Sequence, residues 1–177
     1  MNISLVKAKL KDSEVIHKMQ IESFSTLLNK YEDFETNPGN EPLEKIINRI
    51  KQPFTDYYIV NCDNISIGCI RIVKMDNKHY RISPIFILPE YQGRGVAQKV
   101  FNMVEEIYYY VKIWELDTIL QEEGNCYLYE KLGYKKTGET KVINDKLTLV
   151  FYEKSILRMK TKDLKRCMKK VIYPVVK

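Results

Sequence analysis

The order of hydrophobic and polar residues predicts strands through most of the chain, with helices between them. Apolar and polar residues alternate, or β-rich runs occur, at residues 3–9, 56–63, 66–75, 79–88, 112–120 and 146–154, and a further short strand is predicted at 135–139. Helical spacing of apolar residues begins at Asp12 or Ser13, and recurs at 43–50, from Gly95 onward and at 126–133. Asp63-Asn64, between two strand runs, predicts a hairpin. The order β α α β β β α β α β indicates one mixed α/β domain.

Composition excludes several classes of protein. The chain has 177 residues, of which 45% are hydrophobic, and its 13 Tyr and 6 Phe are too many for a disordered chain. No apolar run approaches the ~20 residues that a membrane span needs, and the lysine-interrupted N-terminus is unlike a signal peptide, so a cytoplasmic location is expected. Four Cys without a CxxC pair and two distant His predict reduced thiols and no metal site.

The positive charge is confined to one end of the chain. Residues 155–177 carry eight Lys and Arg against one Asp, whereas the other residues carry 21 basic and 22 acidic side chains. The body is therefore not expected to bind nucleic acid. Apolar residues at near-helical spacing predict that residues 155–177 form an amphipathic helix on the body or on a second subunit, with a membrane surface or nucleic acid as alternatives.

The most informative segment is a glycine-rich turn at residues 87–100, ILPEYQGRGVAQKV. A strand ends at Pro89, two glycines follow, and a helix begins, which is the arrangement that exposes backbone N–H groups to a phosphate. The segment is not a Walker A loop, because Val96 and Ala97 follow Gly95, and not a dinucleotide fingerprint, because residue 98 is Gln. A glycine-rich helix entry without a ligand is the alternative.

Two motifs resemble one known family. QGRGVA at 92–97 resembles the Gln/Arg-x-x-Gly-x-Gly/Ala signature of the GNAT superfamily of acyl-CoA-dependent N-acetyltransferases, and LYEKLGY at 128–134 is similar to that family's Tyr-x-x-x-Gly-Phe/Tyr helix end. The resemblance covers residues 3–154. It implies the GNAT fold, an α/β (α+β) domain whose mixed, mostly antiparallel sheet of six to seven strands is flanked by helices, at residues 1–154, with a C-terminal helical tail at 155–177.

The resemblance also implies the co-substrate, acetyl-CoA, and no metal. Amides of the turn would hold the pyrophosphate, and the strand before the turn would pair with the pantetheine arm. The implied cofactor-binding residues are Phe86, Ile87, Leu88, Gln92, Gly93, Arg94, Gly95, Val96, Ala97 and Asn125. Asn125 lies four residues before Tyr129, whereas many members have an Asn seven residues before that tyrosine, where this chain has Glu122.

Tyr129 falls on the family tyrosine that protonates the leaving CoA thiolate, with a packed aromatic as the alternative. Some members carry a glutamate base in the strand before the turn, where this chain has Arg81, which cannot accept a proton. Asp117 is the best candidate for the base, and strand alternation places Glu115 on the same face. Solvated or salt-bridged carboxylates are the alternative. Glu22 is a weaker candidate, and the two histidines, His17 and His79, are expected at the surface.

The expected function is transfer of an acetyl group from acetyl-CoA to a primary amine by direct attack in a ternary complex. The alternative is a catalytically inactive CoA-binding regulatory or interaction module. The segment 31–44 has five acidic residues and no Lys or Arg, which favours a cationic acceptor such as a polyamine, an aminoglycoside or a lysine-bearing peptide, although a solvated acidic loop explains it equally. A homodimer is also considered, because of the tail.

Overall fold

The computed structural model of the chain describes residues 1–156, so the prediction of a tail helix lies outside the described residues. The strands are β1 Ile3–Lys7, β2 Thr55–Cys62, β3 Ile65–Lys74, β4 His79–Ile87, β5 Ile113–Ile119, β6 Lys135–Asn144 and β7 Leu147–Ser155. The helices are α1 Ser13–Tyr31, α2 Leu43–Lys51, α3 Val96–Ile107 and α4 Glu123–Lys131, with short 3-10 turns at Leu10–Asp12, Pro38–Asn40 and Pro89–Tyr91. The short strand predicted at 135–139 is confirmed and is longer, since β6 runs to Asn144.

The strands form one seven-stranded sheet in the order β1-β2-β3-β4-β5-β7-β6. Every neighbouring pair is antiparallel except β4 and β5, which are parallel. The prediction of a mixed, mostly antiparallel sheet flanked by helices is therefore confirmed. The predicted hairpin is present between β2 and β3, where Asp63 and Asn64 both have positive φ, 48° and 71°, as a two-residue I′ turn requires.

The parallel pair holds the sheet together over a short distance only. His79, Tyr80 and Arg81 of β4 pair with the first three residues of β5, and beyond Arg81 the two strands are no longer paired. The rest of each strand therefore diverges from the other, and an opening forms in the middle of the sheet. Backbone groups at such an opening need other partners, because an unpaired N–H or C=O away from water is costly.

The helices cover the two faces of the sheet and create two cores. Helices α3 and α4 pack on one face around Phe101, Trp114 and Tyr152, and α1 and α2 pack on the other around Ile16 and Ile46. The alternation along the strands produces this division, since successive residues of a strand point to opposite faces. The opening in the sheet consequently lies between α1 on one face and α3 and α4 on the other.

One glycine of the sheet has no room for a side chain. A Cβ on Gly68 would lie 2.2 Å from the carbonyl oxygen of Phe86 and 2.9 Å from Cδ1 of Ile87. We expect Gly68→Ala to lower the free energy of unfolding by about 1–3 kcal/mol, because β3 and β4 must move apart. Urea denaturation measures the change. Gly124→Ala is the control, since a Cβ there meets nothing within 4 Å and helical Ala is favoured over Gly by up to about 1 kcal/mol. Equal losses in both variants would contradict the close approach.

Candidate functional site

The glycine-rich turn connects the end of β4 to the start of α3. Gly93 and Gly95 have φ of 70° and 74°, in the left-handed region that favours glycine, and a Cβ on either would meet nothing within 4 Å. Gly95 is the N-cap of α3, and the first intrahelical bond runs from the Lys99 amide to the Gly95 carbonyl at 3.2 Å. The amides of the first turn of α3 are therefore unpaired within the helix, at the positive end of its dipole. The turn can bind an anion.

The side chains of the turn hold it against β4. Gln92 Nε2 donates to the carbonyl of Ile87 at 2.7 Å, and so closes the turn onto the end of the strand. The Arg94 guanidinium lies 5.9 Å from the centre of the Tyr91 ring, in a cation–π contact. The turn is thus fixed at both ends, while its amides stay open.

The backbone bonds near the end of β4 bear on two of the predicted contacts with a pantetheine arm, those of Phe86 and Leu88. The Leu88 N–H donates to the Ile67 carbonyl at 2.7 Å, and the Leu88 carbonyl accepts from the Tyr91 N–H at 2.9 Å. Both backbone groups of Leu88 are therefore bonded within the chain, and its predicted pairing with a pantetheine arm does not fit this structure. Alternation implies that Phe86 also bonds to β3, whereas Ile85 and Ile87 direct their backbone groups to the opening.

Two cavities meet at the opening. The larger, about 680 Å³, lies between the glycine-rich turn, α1 and α4, and the smaller, about 310 Å³, lies between β4, β5 and the segment after α1. Both are lined by Phe24, Leu27, Ile85, Asn125 and Tyr129. Most of the sequence-predicted cofactor residues line the larger cavity: Phe86, Ile87, Gln92, Gly93, Gly95, Val96, Ala97 and Asn125. Leu88 and Arg94 do not line it, and Asp117 lines the smaller cavity.

Tyr129 stands where the two cavities meet. Its side chain is buried at 7% exposure, and its ring packs edge-on against Phe101 at 5.8 Å and tilted against Tyr152 at 6.0 Å. Its hydroxyl makes no hydrogen bond within residues 1–156. Burial raises the pKa of Tyr129 above its ordinary value, so the phenol stays protonated at neutral pH. The hydroxyl is consequently protonated and free to donate to a ligand in either cavity.

Asp117 belongs to a chain of ion pairs along the start of β4 and β5. The Arg81 guanidinium bonds to Asp117 through Nη2 and to Glu115 through Nη1 at 3.1 Å, and His79 Nε2 lies 2.8 Å from the other oxygen of Glu115. Both carboxylates lie on one face, as predicted. Burial raises the pKa of Asp117, and the nearby Arg81 opposes that rise. Glu115 is salt-bridged and lines neither cavity, whereas Asp117 is salt-bridged and lines the smaller one.

The acidic segment places two of its five carboxylates at the smaller cavity. Glu41 is compensated there by Arg49, which donates through both Nη atoms at 2.6 and 2.8 Å, and by Lys45 at 2.8 Å. Asp33 is buried at 6% exposure and accepts from the backbone and the hydroxyl of Thr36 at 2.8 and 2.5 Å. Among the described residues it has no cationic partner. Two hydrogen bonds from Thr36 thus stabilise the Asp33 carboxylate, and a cationic ligand would add the counter-ion that these residues do not supply.

The two histidines are partly exposed, and each is bonded to another residue through its ring. His17 is half-buried with Nε2 2.8 Å from the Glu41 carbonyl, and His79 is half-buried beside Glu115. Neither lines either cavity, and neither does Glu22. Sequence reasoning missed these contacts because their partners lie 24 and 36 residues away.

Glu122 has a role that the sequence did not show. Its carboxylate accepts from Lys30 Nζ at 2.7 Å and from the Tyr31 hydroxyl at 2.6 Å, which ties the end of α1 to the start of α4. Burial favours a raised pKa for Glu122, but these two hydrogen bonds outweigh it and lower the pKa. Glu122 also lines the larger cavity. The partners are 91 and 92 residues away, so only the fold brings them together.

Among residues 1–156, no group of three or more His, Cys, Asp and Glu side chains is placed to hold a metal ion. None of the helices in the same range combines the length and the apolar character needed to cross a membrane.

Part of the chain is similar in sequence to known acetyltransferases. The family model described as "Acetyltransferase (GNAT) domain" matches residues 53–136. Spermidine N(1)-acetyltransferase of Escherichia coli (strain K12) is 30% identical over 86 residues, which are 46% of this chain and 46% of that protein. The matched segment thus spans about half the length of the curated relative.

Solved structures share the fold over most of the chain. An acetyl transferase from Salmonella typhimurium that modifies the N-terminal serine of ribosomal protein L7/L12 has a TM-score of 0.70 at 14% identity, covering 88% of this chain and 96% of that one. Spermidine N-acetyltransferase from Vibrio cholerae, solved with CoA and spermine, has a TM-score of 0.67 at 18% identity, covering 85% and 94%. The family match at 53–136, which is just under half of the chain, and the motifs at 92–97 and 128–134 are similar to those of GNAT acetyltransferases, and the chain shares the fold of these solved acetyltransferases.

Proposed function

We propose that the chain is an acetyl-CoA-dependent N-acetyltransferase that moves the acetyl group to a primary amine by direct attack in a ternary complex. The observation that carries the proposal is the meeting of two cavities at Tyr129. The larger opens on amides suited to a phosphate. The smaller is lined by three carboxylates and two arginines, and of these carboxylates only Asp33 lacks an arginine partner among the described residues, so it is suited to a cation. A cofactor and an acceptor bound in the two cavities would bring the thioester and the amine to one point.

In the larger cavity the pyrophosphate of acetyl-CoA would bind the amides from Arg94 to Ala97, with Gln92 and Gly93 shaping the turn. The pantetheine arm would run along the edge of β4 that faces the opening and bond to the Ile87 N–H as an added strand does, since the Ile87 carbonyl already accepts from Gln92. Phe86 would contribute its side chain to the wall, and Asn125 would contact the arm where the cavities meet. The Vibrio cholerae relative solved with CoA shows that this fold can hold the cofactor.

The reaction needs two proton transfers. The acceptor attacks as the neutral amine, an ammonium having first released one proton to solvent, and Asp117, directly or through water, would take the second proton, which the nitrogen loses as it bonds to the thioester carbon. Backbone N–H groups of β4 would polarise the thioester carbonyl. The carbon–sulfur bond then breaks, and Tyr129 would give its proton to the CoA thiolate. The products are an N-acetyl amine and CoA thiol.

Within the smaller cavity we infer an acceptor with a second cationic group, of the diamine or polyamine class. Asp33 supplies a buried, uncompensated carboxylate for that group. Apolar residues of the same cavity, among them Ile82, Leu116 and Leu147, suit a methylene chain between two amines. The names of two relatives, which are spermidine acetyltransferases, support the same class.

An amine panel tests the proposed function. Acetyl-CoA should raise the melting temperature whether the chain is an enzyme or a binding module. Release of CoA thiol with an added amine should occur only if it is an enzyme. The panel includes polyamines, aminoglycosides, lysine-bearing peptides and monoamines, and thiol release with none of them would favour the inactive module.

Asp33→Asn should raise the KM for a polyamine by about 10- to 100-fold, which corresponds to the 1.5–3 kcal/mol of a hydrogen bond to a charged group. The effect on a monoamine should be small, because a monoamine has no second cation for Asp33. Steady-state kinetics of both substrates measures the difference. Glu35→Gln is the matched control, since Glu35 is an exposed carboxylate of the same segment that lines neither cavity. Equal effects of the two substitutions would refute the subsite.

Gly95→Val should raise the Kd for acetyl-CoA at least tenfold. A tenfold change corresponds to about the free energy that one hydrogen bond to a charged group contributes. Valine at φ 74° is strained, and its branched Cβ would occupy the approach to the amides. Gly138→Val is a matched control, because Gly138 also has positive φ, 94°, with open space for a Cβ, but lines neither cavity. Calorimetry should find weaker binding only in Gly95→Val, and unchanged affinity in that folded variant would show that the turn does not hold the cofactor.

The division of the chain is also a proposal. Residues 1–154 would form the catalytic domain and residues 155–177 a separable tail, and β7 ends at Ser155, close to that boundary. A homodimer through the tail and a cytoplasmic location, where acetyl-CoA is available, complete the proposal.

A further inference from the structure

We propose that Arg81 sets the protonation state of Asp117, and that Glu115 competes with Asp117 for the same guanidinium. This rests on the proposed function only where it links Asp117 to the rate of acetyl transfer. The arrangement would make Arg81 a positioning residue, which acts through Asp117 and not on the substrate.

The place of Arg81 in the sheet explains how it reaches both carboxylates. Arg81 and Glu115 form the last residue pair before β4 and β5 separate. The guanidinium therefore spans the point of divergence, with Nη1 on Oε1 of Glu115 and Nη2 on Oδ1 of Asp117. Oδ2 of Asp117 has no side-chain partner among residues 1–156. Arg81 thus holds one oxygen of Asp117, the carboxylate also accepts from the backbone N–H of Asp117, and the residue lines the smaller cavity.

Several charged or titratable groups surround this pair. Lys141 of β6 adds positive charge near Asp117, Glu115 adds negative charge, and Tyr129 of α4 is close enough to feel the Asp117 charge. Of the cations in the described part of the chain, Arg81 alone lies within ion-pair distance of Asp117. Glu115 has two further charged or titratable neighbours: His79 contacts its carboxylate, and Glu153 of β7 is opposite it in register.

Burial and Arg81 act in opposite directions on the Asp117 pKa. Burial is the largest influence on Asp117 and favours the neutral acid, whereas Arg81 favours the carboxylate. A carboxylate with a raised pKa that is still ionised near neutral pH is a stronger base than an exposed one. Without Arg81, burial would act unopposed, and Asp117 would bind a proton over a wider pH range. Without Glu115, the Arg81 guanidinium would pair with Asp117 alone.

The test is a carboxyl-carbon NMR titration of Asp117 in the protein without cofactor or amine. Arg81→Gln should raise the Asp117 pKa by about 1–3 pH units, the range that an adjacent opposite charge produces. Glu115→Gln should lower it, because a like charge is removed and the guanidinium is no longer shared. Arg81→Lys should restore the wild-type value only in part, since one ammonium cannot bond to both carboxylates as a fork does. Lys141→Gln is the control, and its exposed charge should change the pKa much less.

Opposite shifts in Arg81→Gln and Glu115→Gln would support the proposal, whereas shifts of one sign, or none in folded variants, would overturn it. The pH dependence of kcat/KM separates this inference from the proposed function. If the NMR shifts are opposite but the acid limb of kcat/KM does not follow them, Arg81 controls Asp117 and Asp117 is not the proton acceptor.

Discussion

Tyr129→Phe is expected to lower kcat by about 10²–10⁴-fold, the usual contribution of a general acid or base. Affinity for acetyl-CoA should be nearly unchanged, because the phenyl ring keeps its packing on Phe101 and Tyr152 and only the hydroxyl is removed. The rate of CoA thiol release under saturating substrates gives kcat, and calorimetry gives the affinity. A fall in kcat alone assigns the hydroxyl to the chemical step.

Tyr134→Phe is the matched control for this variant. The Tyr134 ring packs on Phe101 at 5.8 Å in the same aromatic cluster, and its buried hydroxyl also lacks a partner within the described residues. Tyr134 lines neither cavity, so its loss of a hydroxyl should leave kcat unchanged. Wild-type turnover in Tyr129→Phe would make Tyr129 a packing residue. Because burial raises the pKa of Tyr129, the wild-type donor should persist above pH ~10, where an exposed tyrosine ionises.

Asp117→Asn is expected to lower kcat/KM by about 10²–10⁴-fold at neutral pH, since an amide cannot accept the proton of the amine. The pH profile should change in a defined direction. Asp117 accepts a proton only as the carboxylate, so wild-type kcat/KM should fall as the pH falls through its raised pKa. That acid limb should be absent in Asp117→Asn. Initial rates between pH 4 and pH 9 are the measurement, about the range over which a carboxyl with a raised pKa titrates.

Glu153→Gln controls for the general loss of a negative charge from this part of the sheet. Glu153 is an exposed carboxylate of β7 that lines neither cavity, and its replacement should leave both rate and profile unchanged. An Asp117→Asn enzyme that keeps its acid limb would transfer the role of base to another group or to water.

Features that depend on neighbours in sequence were predictable. Asp63-Asn64 predicts its turn because these residues tolerate positive φ, and both adopt it. Gly93 and Gly95 likewise predict a turn of unusual backbone that leaves helix amides open. The alternation of Glu115 and Asp117 correctly places both on one face. In each case the physical cause acts over a few residues.

The contacts that give the site its charge state were not predictable in the same way. Arg81 reaches Asp117 across 36 residues because β4 and β5 are parallel neighbours, which no local pattern reveals. Compensation of Glu41 by Arg49, while Asp33 is left uncompensated, depends on how α2 packs beside the acidic segment. The bond from the Leu88 N–H to the Ile67 carbonyl depends on the register between β3 and β4. Such features follow from tertiary packing. The sequence therefore indicates which carboxylates could act at the site, but not which residues pair with them.

The short parallel pairing of residues 79–81 with residues 113–115, called the joint below, also affects the order in which the chain folds. Strands β2, β3 and β4 follow one another as antiparallel hairpins, and such local pairings form quickly. The joint needs the whole crossover through α3 before residues 113–115 can reach residues 79–81. During synthesis, the first four strands are therefore complete before β5 is available to them. The smaller cavity, which residues of β4, β5 and β7 line, therefore exists only after this docking step, so a ligand can occupy it only once strands distant in sequence have met.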